Sequence, residues 1–137
     1  MRFYAAAVVA LALGGCSATH PLQPGSSSRI PDGEWELATS SFVEGGRMPG
    51  VPRARLAFRD GRISVFSGCN TATAPVRDAG GRLRTGELAT PRTCPQPVAS
   101  FDARFFRLLR GEPVYRIEGD TLTLADGDHS ARFRRVQ

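Results

Sequence analysis

The sequence predicts an α+β fold: a small curved, mostly antiparallel sheet or partly closed barrel with one helix packed on it. Three observations point there. Short stretches of alternating polar and apolar residues recur, separated by turns rich in Gly and Asp. Period-two alternation is the mark of a strand with one buried face. One segment alone, from Val98 to Arg110, shows helical apolar spacing. It stands between two groups of strands, so hairpins dominate and the sheet should be antiparallel.

The elements follow in order. Glu34-Trp35-Glu36-Leu37 alternates as a first strand. Ser40 to Pro52 holds Gly45, Gly46, Pro49, Gly50 and Pro52 and reads as a loop. Arg55–Arg59 is a strand with Leu56 and Phe58 on one face. Asp60-Gly61 is the strongest hairpin signal in the chain, and Arg62–Ser67 is the return strand. Gly68-Cys69-Asn70 ends it. Thr71–Val76 reads as a strand broken at Pro75. Arg82–Arg84 and Glu87–Ala89 read as short strands after the Gly80-Gly81 turn. Pro95 and Pro97 introduce the helix, whose inner face is Val98, Phe101, Phe105, Leu108 and Leu109. Arg104, Arg107 and Arg110 lie toward the other side, the last two where cations suit the helix dipole. Gly111 is a stop signal, and Pro113 forbids continuation. Val114–Glu118, Thr121–Ala125 and Ser130–Val136 complete the strands.

The chain has 137 residues and a net charge of +5, and all eighteen of its basic residues are arginine. That length suits one domain. The absence of lysine rules out a Schiff-base or P-loop lysine, and two histidines argue against a His-rich metal centre. The chain opens Met1-Arg2, then runs without a polar break from Phe3 to Leu13. That stretch is too short to span a bilayer, which takes about 20 residues, and has the length of a signal-peptide core. Leu13-Gly14-Gly15-Cys16 resembles a bacterial lipobox. The resemblance implies cleavage before Cys16, diacylglycerol on its thiol and an acyl chain such as palmitate on the new amino end. Residues 1–15 are then a lipoprotein signal peptide, and 16–32 the lipidated cysteine and a flexible tether. Pro21, Pro24, Pro31 and Ser26-Ser27-Ser28 mark that tether, which contains His20 as a solvated residue. Residues 33–137 form the folded domain. Ser17 is not the aspartate associated with inner-membrane retention, so the expected location is the cell envelope, anchored at the outer membrane and facing the periplasm.

With Cys16 assigned to lipid, Cys69 and Cys94 remain in an oxidising compartment. Such a pair reads as a disulfide, worth roughly 3.5 kcal/mol on the chain-entropy model. A redox-active pair and two free thiols are the alternatives. Redox pairs usually sit two residues apart at a helix start, and these do not.

The string Gly61-Arg62-Ile63-Ser64-Val65-Phe66-Ser67-Gly68-Cys69-Asn70 resembles the central motif of the META domain, or HslJ-like, family. Thr90-Pro91-Arg92-Thr93-Cys94 is similar to its second signature, a threonine four residues before a cysteine. Trp35 and Leu37 match its opening tryptophan-x-leucine. Asp102 stands where the family carries an acidic residue on its helix, usually glutamate. Tyr115–Leu124 is similar to its closing hairpin. The motif residues are thus Trp35, Gly68, Cys69, Asn70, Thr90 and Cys94, and the likeness runs from Gly33 to Val136. It implies a small envelope protein, often a lipoprotein, linked to stress tolerance and envelope maintenance through protein contacts, with no catalytic mechanism attached.

Residue chemistry agrees with that expectation. His129 lies in the turn Gly127-Asp128-His129-Ser130 with no nucleophile elbow beside it, and Asp126, Asp128 and His129 read as a polar turn rather than a metal site. No enzyme, cofactor or metal is expected. The arginines supply the alternative function. Arg55, Arg59, Arg132 and Arg134 are candidate anion-binding residues, because a guanidinium fork matches phosphate and carboxylate. In an envelope the anions would belong to lipopolysaccharide or peptidoglycan. Nucleic acid is excluded by the export address.

Overall fold

The structure is a computed structural model and describes residues 30–43 and 51–137. Cys16, His20, the signal segment and the tether as far as Arg29 lie outside the described residues, as do Gly45, Gly46, Pro49 and Gly50. The elements are β1 (Gly33–Ser40), β2 (Arg55–Arg59), β3 (Arg62–Phe66), β4 (Thr71–Asp78), β5 (Leu83–Thr85), α1 (Val98–Arg110), β6 (Val114–Glu118), β7 (Thr121–Asp126) and β8 (His129–Arg135). One sheet holds all eight strands in the order β5-β4-β3-β2-β1-β8-β7-β6. Every pairing is antiparallel.

The sheet curls until its two edges meet. The Leu83 N–H donates to the Pro113 carbonyl at 2.8 Å and the Tyr115 N–H to that of Gly81 at 3.1 Å. Only an isolated bridge, Arg82 to Val114, forms there, so the barrel is nearly closed with one unsealed seam. Side chains reinforce the seam. Arg84 forks onto the Glu112 carboxylate at 2.7 and 3.1 Å, and that hydrogen bond holds the Glu112 carboxyl below its usual range. Tyr115 lies on the same seam, with its phenol pushed up by burial first and then by the Asp78 charge. A raised phenol favours the folded state's neutral form. Its stabilisation is whole below the unfolded value near 10 and is lost as pH rises through the folded one. Thermal midpoints are therefore expected to fall above about pH 10, less steeply in Tyr115→Phe. Phenolate absorbance of the two proteins checks the assignment.

Alternation fills the barrel. Trp35 and Leu37, Leu56 and Phe58, Ile63 and Val65, Leu122 and Leu124, and Phe133 all point inward and are buried. The helix closes one end of the barrel. Phe101 stacks on Phe105 at 5.4 Å and meets Phe42 beyond β1, while Phe105 meets Phe133 of β8. At the other end Asp60 (φ +51°) and Gly61 (φ +73°) form the expected tight hairpin, where both central residues need positive φ. There the Arg135 guanidinium sits 4.3 Å from the Trp35 ring centroid. Arg135→Ala is expected to lower stability by about 1 kcal/mol, read as a drop in the thermal midpoint that lysine partly restores.

Two local expectations need correction, and a third holds for a reason of its own. β4 runs through Pro75 to Asp78. Pro75 sits just where the short β5 ends, and its carbonyl accepts from Gly86. The missing N–H faces an edge rather than a central ladder, the position proline tolerates. Glu87–Ala89 is not a strand; Leu88 is buried within irregular backbone, its carbonyl taken by Arg110 at 2.5 Å. Gly111 ends the helix but not by a left-handed turn, for its φ is −78°. The left-handed residue is Glu112 (φ +52°). What Gly111 supplies is space: a Cβ there would lie 2.6 Å from Asp126 Oδ2.

Candidate functional site

The motif residues gather where β3 turns into β4. The Ser67 N–H donates to the Asn70 carbonyl at 3.0 Å, closing a tight turn. Gly68 occupies φ +99°, and a Cβ there would meet Val51 Cγ1 at 2.8 Å and the Pro52 carbonyl at 3.1 Å. Glycine is required both by conformation and by close approach. Cys69 and Cys94 form a disulfide, with Cα atoms 6.1 Å apart. Of the fates left open for that pair, this removes the two free thiols.

Asn70 is buried and works on three segments. Its Oδ1 accepts the Arg92 N–H at 2.8 Å, and its Nδ2 donates to the Arg92 carbonyl and to Asp102 Oδ2, each at 3.1 Å. Ser67, also fully buried, donates its hydroxyl to Asp102 Oδ1 and accepts the Asn70 N–H at 3.0 Å. Turn, disulfide-bearing coil and helix are thus bolted together by a polar latch. Buried polar groups persist where they are hydrogen-bonded, and this cluster satisfies that condition from within. Thr90 is half-buried in the coil before Cys94. Trp35 belongs to the core, away from the latch.

The four candidate arginines share the outer face of the adjacent strands β2, β1 and β8, but they divide. Arg55 forks onto Glu36 at 2.9 and 3.2 Å, and Arg59 lies 3.6 Å from Glu34. Arg132 and Arg134 form no ion pair among the described residues. Arg134 lies opposite Glu36 across β1, whereas Arg132 stands between Thr39 of β1 and Thr123 of β7. The arginines are visible in the sequence, but these hydroxyl neighbours are not, since only strand register identifies them. His129 is exposed on β8, edge-on to Phe42, and lines a niche with Arg104, Arg107 and Asp126. Among the described residues no three His, Cys, Asp or Glu side chains gather as metal ligands, and no helix is long and apolar enough to cross a membrane.

These features define a class: a small antiparallel barrel, filled by its own side chains, plugged by one helix and bolted by a disulfide beside the plug. The META domain family model matches residues 28–137, and the chain belongs to that family. Solved structures share the fold. An NMR structure of a protein from Burkholderia xenovorans is 20% identical with a TM-score of 0.61, covering 86% of this chain and 99% of that one. A second NMR structure is 20% identical with a TM-score of 0.62, covering 74% and 87%. A crystal structure of a DUF4847 family protein from Bacteroides vulgatus is 14% identical with a TM-score of 0.52, covering 74% and 91%. No curated protein matches the chain.

Proposed function

We propose that this META-domain protein is a bacterial cell-envelope lipoprotein, held through Cys16 at the outer membrane and facing the periplasm. It serves envelope maintenance or stress tolerance through protein contacts, without catalysis. One observation supports this reading most: the family motif is turned inward. Gly68, Cys69, Asn70 and Asp102 are used to join the helix to the barrel, and apolar side chains fill the interior. The outer surface is what remains to meet a partner. Diacylglycerol with a further acyl chain anchors firmly, since two lipid signals suffice for stable attachment. Intact-mass analysis and cell fractionation test the anchor. The native chain should carry the lipid mass and sediment with membranes, and Cys16→Ala should do neither. An unlipidated native chain would overturn the anchor. Cross-linking in intact cells, followed by identification of the captured protein, tests the contact role.

A second reading is favoured by Arg132 and Arg134, which lack carboxylate partners among the described residues. On it the protein is a binding module for anionic envelope polymers, lipopolysaccharide or peptidoglycan. Retention on those polymers should fall steeply with added salt. Retention that is absent or indifferent to salt would remove this reading.

A further inference from the structure

We propose that the outer face around Arg132 is a binding site for a sugar unit carrying an acid group, carboxylate or phosphate. This deepens the second reading above and rests on it. The chemistry begins with the register of β1 against β8. Pairing runs Leu37 to Phe133, then Thr39 to Arg132, so one residue of β1 is extra. That bulge sets Thr39 beside Arg132, and bulges commonly re-aim side chains near sites. On the other flank Thr123 of β7 pairs with Arg132. The guanidinium therefore stands between two threonines.

A shallow groove of about 330 Å³ opens over this row. That is at the small end of ligand sites, about right for one sugar ring. Thr39, Ser40, Ser41, Thr123 and Ser130 line it together with Arg132, and no carboxylate does. Ser41 Oγ accepts the Ser130 N–H at 2.9 Å, which fixes that oxygen and leaves its hydrogen to donate. The nearest acid along β1, Glu36, is already engaged by Arg53 and Arg55.

The groups present select the ligand. A guanidinium fork fits a carboxylate or phosphate through paired charged hydrogen bonds. Hydroxyls both donate and accept, which suits the hydroxyls of a sugar. Bare phosphate would use the arginine and leave most of the groove idle. A neutral sugar would leave the arginine unpaired. Only a ligand with both parts uses the whole surface.

The test is a titration of the isotopically labelled full chain, carrying Cys16→Ala, followed by amide NMR. Glucose 6-phosphate and glucuronate are expected to shift Thr39, Ser41, Thr123, Ser130 and Arg132 together. Glucose should bind about tenfold more weakly, as should the acid sugars to Arg132→Gln, since each of these removes a charge-assisted hydrogen bond. Inorganic phosphate should bind about tenfold more weakly because it forgoes the hydrogen bonds of the sugar hydroxyls. Arg107→Gln, on the helix, should leave the response unchanged. Inorganic phosphate binding as well as the acid sugars, shifts centred elsewhere, no shifts, or full binding by Arg132→Gln would each overturn the site. The polymer assay separates the two claims. Polymer retention that survives Arg132→Gln leaves the second reading standing and removes this site. Acid-sugar shifts at these amides without polymer retention do the reverse.

Discussion

Asp102→Ala is expected to lower folding stability by about 3 kcal/mol, because it strips an acceptor from two buried donors at once. Each buried group left unsatisfied costs about 1–3 kcal/mol. Asp102 is only 7% exposed, so water does not readily replace the carboxylate. Ser67 suffers most. Its hydroxyl accepts from the Asn70 N–H and donates to Asp102, so without the carboxylate its proton is left only the longer contact to the Asn70 carbonyl at 3.4 Å. Asn70 Nδ2 keeps the Arg92 carbonyl and loses its second acceptor. Asp102→Asn retains one acceptor oxygen but sets a second amide nitrogen near Asn70 and should fall between. Trp35, the only tryptophan, is buried and reports unfolding through its fluorescence in urea. A loss below about 1 kcal/mol would mean the latch contributes no more than one ordinary hydrogen bond.

Removing the Cys69–Cys94 disulfide is expected to cost about 3.5 kcal/mol, from loop closure across its separation of 25 residues. Domains of this size have about 5–15 kcal/mol in total, so the reduced protein should be marginal. Its thermal midpoint should fall by about 15 °C. The clean variant replaces both cysteines with alanine and is compared with the oxidised parent, which mass analysis should show two hydrogens lighter than its reduced form. Equal stability of the two would show that the denatured chain is already restrained there. The two predictions are coupled. Asn70 Nδ2 also lies 3.4 Å from Cys94 Sγ, so disulfide and latch hold the same coil. The triple variant should lose less than the sum of the separate losses, since contacting residues are not additive.

Much of this architecture was legible because alternation is local. β2, β3, β6 and β7 fall where the polar–apolar pattern places them, and the helix occupies the expected span between proline and glycine. The latch was partly legible too. Ser67 stands at the core phase of β3, two residues beyond Val65, and Asp102 adjoins Phe101 on the apolar stripe. A polar residue in a core phase is a signal that it has a buried partner, but the pattern does not say which. Glu87–Ala89 misled because its alternation records one buried leucine and no neighbouring strand. Pro75 misled in the other direction, since its tolerance depends on how far β5 extends.

The sequence by itself determined the fold class, the strand and helix periods, the family and the pairing partners available to the cysteines. Tertiary structure decided which strands meet, and with that every property that depends on register. It placed β1 between β2 and β8, so that Glu34 and Glu36 engage Arg59 and Arg55 while Arg132 faces threonines. It brought β5 to β6 at an incompletely sealed seam and buried Asp102 against Ser67 and Asn70. The physical reason is range. Periodicity and turn chemistry are written in neighbouring residues, whereas the charge state of a surface and the satisfaction of a buried acid depend on groups dozens of residues away.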